Sequence, residues 1–188
     1  MEIKPLTAEH IPHIPAVISG YQTGEIYQVT YTEGEMETAV TLRLVALPQT
    51  LNKRFPPLDE HDLARYQLMP AQGFSFGLFN LDVLVGIALA EPMHWNNSLW
   101  VWEFHIAGGY RGEGWGRLLM TRVIAQAQTA GLHTIVCETQ NTNVPAIRFY
   151  RRMGFRVEGI DISYYSNNDL NPDREVAVFM KRRLEIAD

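Results

Sequence analysis

Residues 110–119 read YRGEGWGRLL, placing glycines at 112, 114 and 116 between Arg111 and Arg117 at the front of a helical pattern. Glycine inside a helix costs roughly 1 kcal/mol relative to alanine, so the spacing needs a reason. A helix N-terminus leaves about four N–H groups without intrahelical partners and carries a partial positive charge. Glycines let the preceding turn close tightly and let an anion approach the bare backbone. Gly112, Gly114 and Gly116 therefore predict a cradle for a phosphate or pyrophosphate. The plainer alternative is a glycine-rich loop ahead of an amphipathic helix. No Gly-Lys-Ser/Thr follows, which excludes a Walker loop, and the spacing is wrong for a dinucleotide fingerprint.

Just upstream, LWVWEFHI alternates strongly. The pattern places Trp100, Trp102, Phe104 and Ile106 on one face of a strand and Leu99, Val101, Glu103 and His105 on the other. The aromatic face is expected to be core. Glu103 and His105 break an apolar face, which suggests a strand opening toward a cleft. Cys137, between Val136 and Glu138, reads as a small buried residue rather than a nucleophile. The six histidines show no metal-ligand spacing, so no metal is expected.

The elements that must position these residues follow from periodicity and breakers. MEIKPL reads as a first strand, and Thr7 as the cap of a segment broken by Pro12 and Pro15. EIYQVTY and METAVTLRLVAL read as strands around a turn at Glu33–Gly34. LDEHDLARYQLM reads as a helix capped by Asp59 and stopped at Pro70. GFSFGLFN and LVGIALAEPM form a predicted hairpin around Asn80–Asp82. After the glycines, Trp115, Leu118, Leu119, Val123 and Ala127 fall at helical spacing, with Gly131 as the stop. TIVCETQ is a strand. VPAIRFYRRM is a helix capped by Asn143, with Pro145 tolerated in its first turn and Gly154 at its end. FRVEGIDISYY and REVAVFMKRR are late strands, expected to pair antiparallel. This order predicts an α+β domain with a mixed sheet.

The glycine segment resembles the acyl-CoA pyrophosphate loop of the GNAT superfamily of N-acetyltransferases. The family pattern, Arg/Gln-x-x-Gly-x-Gly/Ala, stands here as Arg111-Gly112-Glu113-Gly114-Trp115-Gly116. A later family pattern, Asn-x-x-Ala-x-x-x-Tyr-x-x-x-Gly-Phe, is matched from Asn143 through Ala146 and Tyr150 to Gly154-Phe155. The resemblance runs from about Leu99 to Phe155 and is only topological before that. ETQNTNVPAIRFYRRMGF, followed by GIDISYY, is similar more narrowly to streptothricin acetyltransferases, which modify an amine on a cationic antibiotic.

The resemblance implies a mixed, mostly antiparallel central sheet with helices on both faces. It implies one acyltransferase domain over 1–188, with an acceptor-side half over about 1–95 and an acetyl-CoA-binding core over about 96–166. Acetyl-CoA would be the co-substrate, its pyrophosphate on the amides between Arg111 and Arg117. The pantetheine would lie along Phe104, His105 and Ile106, where this strand and TIVCETQ splay apart, with Asn143 helping to hold it. Tyr150 matches the position whose hydroxyl reaches the CoA sulfur, so it is the expected general acid and a further cofactor contact. An attacking amine must lose a proton. Glu103, acting through water, is the first candidate base, with Glu138 as rival or as the binder of the acceptor's ammonium. Histidine as a residue type ordinarily titrates near neutrality, which makes His105 a further candidate, though a lone histidine is more often a packed or surface residue. Arg148, Arg151 and Arg152 either reach CoA phosphates or form a solvated helix face.

Charge and length agree with this reading. A net charge of -5 weighs against nucleic acid and suits a cationic small molecule. No run is long and apolar enough for a membrane span, and MEIKPLTAEH lacks a leader pattern. A single cysteine fits a reducing cytoplasm. A small-molecule amine acceptor is expected, and a homodimer by analogy with relatives. Two other readings share the motifs: acetylation of a protein or peptide amine, and a non-catalytic acyl-CoA-binding module.

Overall fold

The computed structural model describes residues 1–185. In chain order they form β1 (Glu2–Pro5), β2 (Gly20–Glu33), β3 (Thr38–Arg54), α1 (Glu60–Tyr66), β4 (Phe76–Asn80), β5 (Val83–Met93), β6 (Ser98–Ile106), α2 (Trp115–Thr129), β7 (Thr134–Gln140), α3 (Val144–Arg152), β8 (Arg156–Asp161) and β9 (Ala177–Arg183). Seven strands make one sheet in the order β1-β4-β5-β6-β7-β9-β8, and β2 pairs with β3 in a separate ribbon. Two compact units share the chain. The first holds Met1–Ser19, Arg54–Cys137 and the stretch from Arg182; the second holds Gly20–Lys53 and Glu138–Lys181.

In the first unit β1, β4, β5 and β6 pair antiparallel in succession. β6 then pairs parallel with the start of β7. A parallel neighbour needs a crossover, and α2 supplies it. The helix buries Leu119, Met120, Val123, Ile124 and Ala127, and Arg122 lies over the ring of Phe76 at 4.5 Å. Leu118, expected on the buried stripe, is 46% exposed; the stripe runs through Met120 and Ile124 instead. α2 ends as Gly131 predicts. Gly131 N–H donates to the Gln128 carbonyl at 2.9 Å and Leu132 N–H to that of Ala127 at 3.0 Å, with Gly131 left-handed at φ 69°. This double closure satisfies the last carbonyls.

The opposite face is covered by a 3₁₀ segment, Ala8–Ala16, and by α1. Pro12 and Pro15 lack the N–H that an α-helix needs there. Ile11, Ile14, Val17, Tyr66 and Met69 pack with Leu6, Phe79, Ile87 and Leu89. Asp59 caps α1, its carboxylate accepting from Asp62 N–H at 2.8 Å.

One feature of β6 overturns the predicted faces. Ala90 lies opposite Val101, but Leu89 lies opposite Glu103, so Trp102 is an extra residue in a bulge. Directly opposed residues share a face. Leu99, Val101, Phe104 and Ile106 therefore share one face, and Trp100, Glu103 and His105 the other. The Trp102 ring sits 5.2 Å from that of Trp100. Trp100, Trp102 and Phe104 are only half-buried, whereas Leu99 and Val101 are core. The alternation that predicts an aromatic core breaks at the bulge.

In the second unit, β2 and β3 run further than expected, to 14 and 17 residues, and Gly34 N–H closes the turn onto Glu37. Asn141 is buried and ties this ribbon down. Its Nδ2 donates to the Tyr27 carbonyl and its Oδ1 accepts from Val176 N–H, each at 2.8 Å. α3 is closed like α2: Gly154 is left-handed at φ 84°, and Phe155 N–H donates to the Tyr150 carbonyl at 3.0 Å. β8 and β9 pair antiparallel, as expected.

Candidate functional site

The turn before α2 is built around two left-handed glycines, Gly112 at φ 84° and Gly114 at φ 88°. Few L side chains tolerate that region, so glycine is required at both. A Cβ built at either would meet no atom within 4 Å, so the backbone faces open space. Gly114 is the N-cap of α2. Gly116 lies within the first helical turn and is not there for its φ. The amides of Trp115, Gly116 and Arg117 belong to the turn that has no intrahelical acceptor. Glu113 accepts a hydrogen bond from Trp115 Nε1 at 3.0 Å.

Arg111 does something its place in the motif does not announce. Its Nε donates to the Ile106 carbonyl at 2.8 Å and its Nη2 to Ser19 Oγ at 2.7 Å. The side chain braces the loop against the end of β6. Partial burial lowers its pKa.

The ladder between β6 and β7 covers four pairs, Ser98–Thr134 to Val101–Cys137. β6 then continues from Trp102 to Ile106. The last β7 pair thus falls beside the bulge, and Phe104, His105 and Ile106 lie beyond it.

The Glu103 carboxylate is held on both oxygens. Tyr66 donates its hydroxyl to Oε1 at 2.7 Å, and His105 Nε2 meets Oε2 at 2.7 Å. The side chains of His105 and Glu103 are only 13% and 17% exposed. Burial first, and then the charge of Glu103, push the Tyr66 pKa well above the ordinary tyrosine value. The Phe55 ring stands edge-on to His105, with centroids 5.4 Å apart.

In the second unit Tyr150 is buried, its ring packed against Phe149 and Phe155 at 5.5 Å each. Asn143 is buried and caps α3, its Oδ1 accepting from Ala146 N–H at 3.2 Å. Its carboxamide oxygen is therefore committed to the helix. Glu138 accepts a short hydrogen bond from the Tyr165 hydroxyl. Burial, and then the Glu138 charge, raise the Tyr165 pKa far above its usual range. Gln140 also bonds Tyr165, and its buried Oε1 has no hydrogen-bond partner. Nearby in the chain's pairing, Glu175 accepts from Thr142 at 2.5 Å, Tyr21 at 3.2 Å and Lys53 at 2.7 Å.

The remaining residues have simpler settings. Cys137 is buried at 1% exposure, as a small core residue should be. Arg148 pairs with Glu25 at 2.7 Å, and Arg151 donates to the Tyr27 hydroxyl at 2.7 Å; both serve the fold of their unit. Among the described residues no three His, Cys, Asp or Glu side chains are grouped to hold a metal ion. Among the described residues no helix is long and apolar enough to cross a membrane. Tyr66, Tyr165, Gln140 and Glu175 carry no motif of their own. They were missed because their partners lie far away in sequence.

Comparison with known proteins shows what the chain is similar to. The acetyltransferase (GNAT) family model matches residues 42–155. A streptothricin acetyltransferase of Streptomyces lavendulae is 39% identical over 82 residues, 44% of this chain and 43% of that protein. The chain thus spans less than half the length of that curated relative. The crystal structure of a nourseothricin acetyltransferase superposes with a TM-score of 0.79 at 27% identity, over 98% of both chains. The structure of a streptothricin acetyltransferase homologue of Bacillus anthracis str. Ames, in complex with acetyl coenzyme A, shares the fold with a TM-score of 0.72 at 20% identity, over 97% of this chain and 99% of that one. With the family pattern matched over more than half its length, the chain belongs to the GNAT family of acetyltransferases.

Proposed function

We propose that the protein transfers an acetyl group from acetyl-CoA to a primary amine of a small cationic acceptor, of the streptothricin type. The observation that carries this reading is the open turn at the N-terminus of α2. Its two left-handed glycines leave amides bare where a diphosphate would sit. The residues present fit an acyl-CoA. The amides from Arg111 to Arg117 take the pyrophosphate, and Arg111 contributes by holding the loop to β6 rather than as a phosphate ligand. Backbone groups of Phe104, His105 and Ile106 line the pantetheine, with the Ile106 carbonyl already engaged by Arg111. Asn143 contributes by fixing the start of α3.

The amine nitrogen attacks the thioester carbonyl carbon. A C–N bond forms, the C–S bond breaks, and one N–H proton must leave. A water carries this proton to the paired Glu103 carboxylate and His105 imidazole, which together accept it. The departing thiolate takes a proton from Tyr150, which recovers it from solvent.

Glu138 binds the acceptor's ammonium. Support comes from Gln140, whose buried carbonyl oxygen lacks a donor close in sequence to that carboxylate. An unsatisfied buried acceptor costs about 1–3 kcal/mol, and a cationic N–H donor would relieve it. The similarity to streptothricin and nourseothricin acetyltransferases favours a small antibiotic over a peptide.

The test is thiol release from acetyl-CoA with streptothricin, an aminoglycoside, a polyamine and a peptide N-terminus offered in turn. CoA release with streptothricin, and an acetylated product by mass, supports the reading. Binding of acetyl-CoA without release on any acceptor favours the non-catalytic module.

A further inference from the structure

Glu103 is an awkward proton acceptor. Both its oxygens already accept hydrogen bonds, from Tyr66 and from His105, and taking a proton would displace one of them. The phenol of Tyr66 stays neutral, because burial and the adjacent carboxylate oppose its ionisation. It can therefore only donate to Glu103. An ionised carboxylate has no hydrogen to give, so the hydrogen in the 2.7 Å contact with His105 belongs to Nε2. A neutral imidazole carries one N–H, which leaves the lone pair on Nδ1. Among the described residues no hydrogen bond is made to Nδ1.

We propose that His105 Nδ1 receives the proton lost by the attacking amine, with Glu103 fixing the tautomer and Tyr66 positioning Glu103. The proposal rests on the acetyl-transfer reading above and names the atom on which its proton lands. As the C–N bond forms, the proton passes from nitrogen, through water, to Nδ1. The resulting imidazolium faces the Glu103 carboxylate across the same hydrogen bond, and solvent later removes the proton. The bulge at Trp102 makes this possible, because it turns Glu103 and His105 onto the face of Leu89 and Ile87, where Tyr66 also packs. Phe55 closes on the imidazole edge-on. Asp62 and Arg65 of α1 are the charged groups that act on Tyr66 besides Glu103. The three polar partners lie up to 39 residues apart, from Tyr66 to His105, and no motif links them.

The experiment has two arms. The pH dependence of kcat/KM, with acetyl-CoA and streptothricin, is measured for the wild type, His105→Gln and Tyr66→Phe. A glutamine carboxamide can still donate to Glu103 but has no base. Its kcat is expected to fall about 10²–10⁴-fold, the range of general-base catalysis, with loss of the acidic limb and an unchanged acetyl-CoA dissociation constant. Tyr66→Phe is expected to lower kcat about ten-fold at the same acetyl-CoA affinity, the loss of one hydrogen bond to a charged group. Wild-type kcat and an intact acidic limb in His105→Gln overturn the proposal. In the second arm, ¹⁵N NMR of the unmodified protein reads the His105 tautomer. Nε2–H at neutral charge is expected, and Nδ1–H overturns the proposal even if the variants do not fold. A wild type that frees no CoA defeats the transferase reading instead, and the tautomer arm still reports on the hydrogen bonds.

Discussion

Tyr150 is buried, its ring packed against two aromatic neighbours, a setting that keeps the ring fixed. If it protonates the thiolate, Tyr150→Phe keeps the packing and loses only the proton. The expected result is a drop in kcat of about 10²-fold or more, with the acetyl-CoA dissociation constant unchanged by calorimetry. Unimpaired turnover removes Tyr150 from the mechanism. Glu138 is the counterpart on the acceptor side. Replacing it by glutamine removes a charged hydrogen-bond partner, worth about 1.5–3 kcal/mol. The KM for a cationic acceptor should then rise about ten-fold or more, with that for acetyl-CoA unmoved. Equal effects on both substrates would place Glu138 elsewhere in the chemistry. Tyr150 and Asn143 were singled out in the sequence by a local motif. Tyr66 and Tyr165 were not, since each acquires meaning only through a partner 37 or 27 residues away.

Among the elements, the loop and helix pair 108–129 makes the sharpest prediction. Gly112 and Gly114 hold a left-handed backbone, whereas Gly108 and Gly109 do not, and all four have open space around a built Cβ. Alanine at Gly114 should cost roughly 1–2 kcal/mol of backbone strain. Part of this should appear as weaker acetyl-CoA binding, about five-fold or more. Alanine at Gly108 should bind like the wild type. Equal behaviour of the two variants would show that the left-handed turn does not shape the site. The helix ends were readable from sequence, because Gly131 and Gly154 sit where a chain must turn left-handed. The faces of β6 were not. A bulge is a property of two strands in register, and nothing in LWVWEFHI announces that Trp102 is the extra residue opposite Leu89 and Ala90.

At the scale of the whole molecule, buried polar groups hold distant segments, and their loss should be global. Asn141 satisfies a Tyr27 carbonyl and a Val176 amide at once. Asn141→Ala leaves both unpaired and should cost about 2–4 kcal/mol, read as a lower midpoint in urea. A variant as stable as the wild type would mean that water replaces the side chain without loss. Tyr21 and Tyr66 are buried, and both have pKa values raised above the ordinary tyrosine range, each chiefly by that burial. The folded state keeps their protons when the unfolded chain, with values near 10, has begun to lose them. Stability is thus fully present below about pH 10 and declines as pH rises beyond it. A urea midpoint that is flat between pH 9 and pH 11 would contradict these burials. The α+β class and the mixed sheet were readable from the order of the elements. The length of the β2–β3 ribbon was not, because its strands lack clean alternation.

All of this depends on a diphosphate seated at the mouth of α2. The most direct measurement is isothermal titration of the protein with acetyl-CoA and, in parallel, with S-acetylpantetheine, which has the thioester arm but no diphosphate. Clear binding of acetyl-CoA is expected, with most of the affinity lost for the truncated thioester. No heat with acetyl-CoA, or equal affinity for the two, would contradict a diphosphate seated there.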